Sequence, residues 1–162
     1  MCRINKFTSA AYNNAVRSKM TFKHGAIITK GSRIVVSGLN YGERTKALGQ
    51  IHGCVHAEID VANQLINRFI RKKTTDIREY PKYLKKYMIW VVRAPRDKSE
   101  QEKKILRNSI PCRMCTDKLI KLGFTKIAYS TDSGCINIKH LKDIKGQTYT
   151  SVQKQFRQHF KG

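Results

Sequence analysis

Two short motifs constrain this chain more than anything else in it: His56-Ala57-Glu58 and Pro111-Cys112-Arg113-Met114-Cys115. Each sits where an apolar pattern opens a helix. From Ile59 the positions Ile59, Ala62, Ile66 and Phe69 step by three and four, as in an amphipathic helix facing a core. A further helix opens at Pro111, where proline is tolerated because no backbone N–H is needed. Leu119 and Leu122 continue the face begun by Cys112 and Cys115, so both thiols should point inward. Cysteines three apart at a helix start can share one metal ion, and the unpaired N–H groups and macrodipole there favour thiolates. His56 brings an imidazole from a second helix end.

Two thiolates and one imidazole suit tetrahedral Zn²⁺. Three protein ligands leave a position open for water, which separates catalytic from structural zinc. Two thiolates also neutralise the ion, so such a site acidifies water less than an all-imidazole one. A carboxylate beside the water can take its proton and deliver it onward, and Glu58 is placed for that. The rival is a closed structural site. His52, Cys54 and His56 alternate, so in extended chain they could share a face and supply a fourth ligand, but Glu58 is then left without a task. Cys54 alone reads as a buried loop thiol, and Cys2 and Cys135 as structural or free.

Along the rest of the chain, Phe7, Ala11, Ala15 and Met20 fall near helical spacing and predict a first helix. Strands follow at Gly25–Ile28 and Ile34–Val36, joined by a tight hairpin across Gly31-Ser32. Asn40 to Gly53 reads as a loop. Asn67 to Tyr87 reads as a helix end plus a basic connection around 67–87. Met88-Ile89-Trp90-Val91-Val92 is the continuous apolar run of a central strand covered on both faces. Arg96 to Asn108 is charged and read as exposed. Lys126–Tyr129 predicts a strand, Asp132-Ser133-Gly134 a turn, and alternating Ile136 and Ile138 an edge strand. Val152, Phe156 and Phe160 predict a C-terminal helix around 151–160, docked on its own domain. The expected architecture is one domain over 1–162, a three-layer α/β/α sandwich with a central mixed sheet of about five strands.

The motif pair, in this order and on these elements, resembles the cytidine-deaminase superfamily, whose signature is H-x-E followed by P-C-x-x-C. Ser37-Gly38-Leu39-Asn40, after the hairpin, looks like that family's base-contacting segment, and the resemblance spans residues 24–138. It implies Zn²⁺ on His56, Cys112 and Cys115, proton shuttling by Glu58, base contact by Asn40, and often self-association. The activity implied is hydrolytic deamination of a cytosine base in a nucleotide or nucleic acid. The interval between the motifs is longer than in compact members and strongly basic. The Asp132-Ser133-Gly134 turn leaves little room for a helix between the last two strands, which points to the subgroup with a C-terminal hairpin.

Charge adds a second expectation. The 33 Lys and Arg against 11 Asp and Glu give a formal net charge of +22, spread from Arg3 to Lys161. A folded body carrying that self-repulsion suggests an anionic partner: nucleotide, DNA or RNA. Arg68, Arg71, Lys72, Lys73, Lys82, Lys85 and Lys86 interleave with tyrosines, a pattern suited to a nucleic-acid strand, or else to a solvated helix end. The alternative function is therefore a basic DNA- or RNA-binding or packaging protein on a deaminase fold. No apolar run is long enough for a membrane span, the first residues lack the apolar core of a signal peptide, and five cysteines suit a reducing, intracellular compartment.

Overall fold

The computed structural model describes residues 3–43 and 45–144, with side chains from Lys6 onward. The C-terminal stripe Val152, Phe156 and Phe160 lies outside the described residues, as does Cys2. Helix α1 (Arg3–Arg17) leads into strands β1 (Lys23–Lys30) and β2 (Arg33–Leu39). A small hairpin, β3 (Thr45–Ala47) and β4 (Gln50–His52), precedes α2 (Ala57–Leu65). Helix α3 (Tyr80–Leu84), β5 (Met88–Ala94), α4 (Lys98–Glu102), α5 (Arg113–Leu122), β6 (Lys126–Ser130) and β7 (Ile136–His140) follow.

The main sheet has five strands in the order β2-β1-β5-β6-β7. Only β5 and β6 run parallel; β1–β2, β1–β5 and β6–β7 are antiparallel, so the sheet is mixed, with β7 at its edge. Strand alternation sorts the core into two layers. Ala26, Ile28, Ile89 and Val91 face α2 and α5, while Ile27, Trp90 and Val92 face α1 through Phe7, Ala11, Tyr12 and Ala15. This is the expected α/β/α sandwich. The apolar run of β5 is buried on both faces because helices cover both.

Five local expectations change. The Asn40–Gly53 loop contains the β3–β4 hairpin, turned by Leu48 and Gly49, both at positive φ. Leucine is a poor advertisement for such a turn, which usually shows Asn or Asp. At the end of α2, where Ile66–Ile70 forms a π turn, Ile70 is buried and Phe69 is 39% exposed; about 3.6 residues per turn counted from Ile59 also falls on Ile70 rather than Phe69. The basic connection is partly structured, with Tyr80, Leu84 and Tyr87 buried around α3. The 96–108 stretch carries α4, capped by the Asp97 side chain, and buries Leu106. Met20 lies past the end of α1, which stops at Arg17.

One close approach holds α1 on the sheet. A Cβ at Gly25 would lie 2.1 Å from the Ala11 carbonyl oxygen and 2.3 Å from the Ala15 nitrogen. Both are helix backbone and cannot rotate away. Gly25→Ala is expected to lower unfolding stability by about 3 kcal/mol, since the helix must be pushed off the sheet. Urea denaturation measures this, and a change below about 0.5 kcal/mol would refute the packing described.

Candidate metal centre and its surroundings

The first turns of α2 and α5 meet on one face of the sheet. His56 is the N-cap of α2, in extended conformation, and Glu58 lies in its first turn. Cys112 caps α5, its sulfur accepting from the Cys115 N–H. Leu119 and Leu122 are buried on the same helix, which turns the Cys112–Cys115 face inward as the pattern requires. At its far end α5 stops at Gly123, with φ at 104°, where a Cβ would strike Pro81.

The His56 Nδ1 atom is 3.3 Å from Cys115 Sγ and 3.6 Å from Cys112 Sγ, and 4.0 Å from a Glu58 carboxylate oxygen. The donor atoms of His56, Cys112 and Cys115 all lie within 4.8 Å of one another, the one such group among the described residues. Sulfur and nitrogen sharing a tetrahedral zinc ion stand about 3.5–3.8 Å apart, so donor set and spacing both fit Zn²⁺. Cys54 is a hydrogen-bond partner of His56 but not a member of this group. His52 instead faces Lys118, at 3.4 Å. The arrangement therefore resembles a three-donor site rather than a closed four-donor one.

Electrostatics show what the metal-free group lacks. Burial lifts the Cys115 thiol well above its ordinary value, and lifts the Glu58 carboxyl despite the opposing His56. Burial opposes a charged His56, yet hydrogen bonds to Cys112 and Cys54 and the Glu58 charge carry it up to about 11. Without metal the group holds protons that a cation would replace. Below it, Ala47, Val55 and Ile59 form a small apolar cluster with both cysteines, and Leu48 packs against it. The unforeseen β3–β4 hairpin is thus a wall of the site. Leu48 N–H is anchored to the side-chain oxygen of Asn63 on α2.

Asn40 is buried next to this region. Its Oδ1 accepts from Ser18 Oγ and the His24 N–H, and its Nδ2 donates to the Phe22 carbonyl at 2.7 Å. In the ligand-free chain the amide thus fastens the α1–β1 turn. Two residues here were not foreseen. His24 and Arg93 are register partners on β1 and β5, in phase with Ala26 and Val91, so both lie on the face that carries α2 and α5. Burial brings His24 down to about 4, with the Arg93, His56 and Cys112 charges all acting on it. The sequence signal was a polar residue in phase with a buried apolar stripe.

Arg68, Arg71, Lys72, Lys73, Lys82, Lys85 and Lys86 are all exposed, at the opposite end of α2. The length of α2 and its π turn, about 20 Å, separates them from the metal group. Tyr87 is buried and Tyr83 packs on the core, with Lys73 and Lys82 over the Tyr83 ring, so the tyrosines serve the body of the protein. Cys135 is exposed on the β6–β7 turn. Among the described residues no helix is long and apolar enough to cross a membrane.

Residues 1–131 match the cytidine and deoxycytidylate deaminase zinc-binding region. Among solved structures, the dCMP deaminase from the cyanophage S-TIM5, determined with dCMP and dUMP, is 17% identical. That similarity covers 77% of each chain at a TM-score of 0.41. No curated protein matches the chain.

The proton inventory gives a test. Zinc must displace protons from this group, so its apparent affinity should rise with pH, roughly tenfold per unit for each proton displaced. Chelator competition between pH 6 and 8 measures the slope. A flat profile would mean the group is already deprotonated without metal.

Proposed function

The chain belongs to the cytidine and deoxycytidylate deaminase zinc-binding family, and from that premise we propose that it hydrolytically deaminates a cytosine base in a nucleotide or nucleic acid. The observation carrying this reading is the buried carboxyl group of Glu58, 4.0 Å from His56 beside a three-donor metal group. His56, Cys112 and Cys115 would hold Zn²⁺, which when bound supplies an electrophilic centre that makes water nucleophilic near neutral pH.

Glu58 does the proton work. Its desolvated carboxyl is lifted above the ordinary carboxylate range, so it accepts a proton more readily than an exposed glutamate. It takes a proton from water, gives one to the pyrimidine ring, and transfers another to the departing amine. Water and the amino base become the oxo base and ammonia. Glu58 is itself only 4% exposed, which keeps bulk water from this carboxyl. Asn40, whose Nδ2 has one hydrogen left to donate after Phe22, is the proposed contact to the base.

A second reading has its own support. Seven exposed cations gathered away from the metal group, in a chain of net charge +22, suit a DNA- or RNA-binding component with little catalysis. Turnover separates the two. Glu58→Ala should keep zinc and fold but lose about 10²–10⁴-fold in rate of ammonia release from cytosine nucleotides. Mass spectrometry of the base and metal analysis check both halves. Undiminished turnover in the variant would remove Glu58 from the chemistry, and no turnover in the parent would favour the binding reading.

A further inference from the structure

Phe22 is an exposed aromatic, 50% accessible, in the turn that enters β1. Two guanidinium groups lie over its ring: Arg93 at 4.5 Å and Arg96 at 4.6 Å from the centroid. The pairing is costly in charge, since each cation repels the other. The ring quadrupole offsets part of that and fixes the planes of both groups. Arg96 is further held by donating from Nε to the Thr21 carbonyl.

Neither cation has an ion-pair partner among the described residues. Arg107, close by, is engaged with Glu100 at 2.7 Å, as Arg78 is with Asp76. The Asp132 carboxylate acts on Arg93 only from beyond ion-pair distance. Arg93 is half-buried, so its charge is partly desolvated with only the Phe22 ring and the more distant Asp132 to offset it, a situation that favours an incoming anion.

The location gives the anion a meaning. Arg93 lies on the α2–α5 face of β5, beside His24, which feels the charges of His56 and Cys112. The Phe22 carbonyl and the His24 N–H are both fastened by the Asn40 amide. One short turn therefore links the proposed base contact to the two arginines. We propose that Arg93 and Arg96, oriented by the Phe22 ring, bind a phosphate ester of the substrate at the mouth of the metal centre. Phe22 is a positioning residue and the arginines are the contacts. The identification of the rest of the ligand as a cytosine nucleotide rests on the deaminase reading. The phosphate is either the terminal group of a mononucleotide or a phosphodiester of a single strand, and both present the same oxygens to a guanidinium fork.

The zinc-loaded protein is assayed with cytidine, deoxycytidine, their 5′-monophosphates, and short cytosine-containing DNA and RNA strands. Binding of the corresponding uracil compounds is measured in parallel by calorimetry. Phosphate-bearing substrates should exceed nucleosides in kcat/KM by about a hundredfold, and Arg96→Ala or Arg93→Gln should each cut that ratio about tenfold. Phe22→Ala should lower it too, and Phe22→Tyr should restore it. Lys126→Ala, an equal loss of charge at the opposite end of β6, should leave the ratio alone. Loss of preference on monophosphates assigns a terminal phosphate; loss confined to strands assigns a flanking one. A ratio that survives the Arg93→Gln/Arg96→Ala pair, or falls equally in Lys126→Ala, overturns the proposal. Absent turnover with uracil nucleotides still bound better by the parent than by Arg96→Ala would sink the deaminase reading and keep the phosphate site. Equal binding would sink the phosphate site.

Discussion

The meeting of two helix N-termini on one face of the sheet governs the functional end of this protein. The first turns of α2 and α5 bring an imidazole, two thiols and a carboxyl group into a volume where every pair feels the others. Such a group is costly to enclose, and in the metal-free chain it favours proton binding: burial raises the Cys115 thiol and the Glu58 carboxyl, and hydrogen bonds to Cys112 and Cys54 raise His56. A divalent cation relieves it in another way, by neutralising the thiolates and leaving the carboxyl as the remaining base. The rest of the architecture keeps these turns in register. The β5 strand is buried on both faces, α1 is seated against Gly25, and α5 ends where Gly123 passes Pro81.

The distribution of charge divides the molecule by task. Seven exposed cations lie past the far end of α2, whereas Arg93 and Arg96 gather around Phe22 beside the metal group. The first set is solvated and packs its tyrosines into the core. The second is held in fixed geometry by an exposed ring with no core to fill. Bulk net charge does not separate these situations; register and burial do.

Much of the site was legible in the sequence because its chemistry is local. Cys112 and Cys115 share a face through helical spacing alone, and His56 and Glu58 are two apart on one helix end. The layered sheet was legible because β5 is a continuous apolar run and β7 alternates. What escaped depends on backbone conformation or on partners distant in the chain. The β3–β4 hairpin turns on Leu48, whose side chain gives no sign of a positive φ. At the end of α2 the buried position is Ile70, one residue on from the expected Phe69 and nearer the helical period counted from Ile59. His24 and Arg93 became a pair only when β1 and β5 were in register.

The central claim is an open three-donor metal site, and zinc X-ray absorption of the loaded protein tests it most directly. The account predicts two sulfur neighbours at about 2.3 Å, with the remaining donors lighter and at about 2.0–2.1 Å. A third sulfur in the first shell would mean that Cys54 closes the site. That result would contradict the catalytic reading of this group.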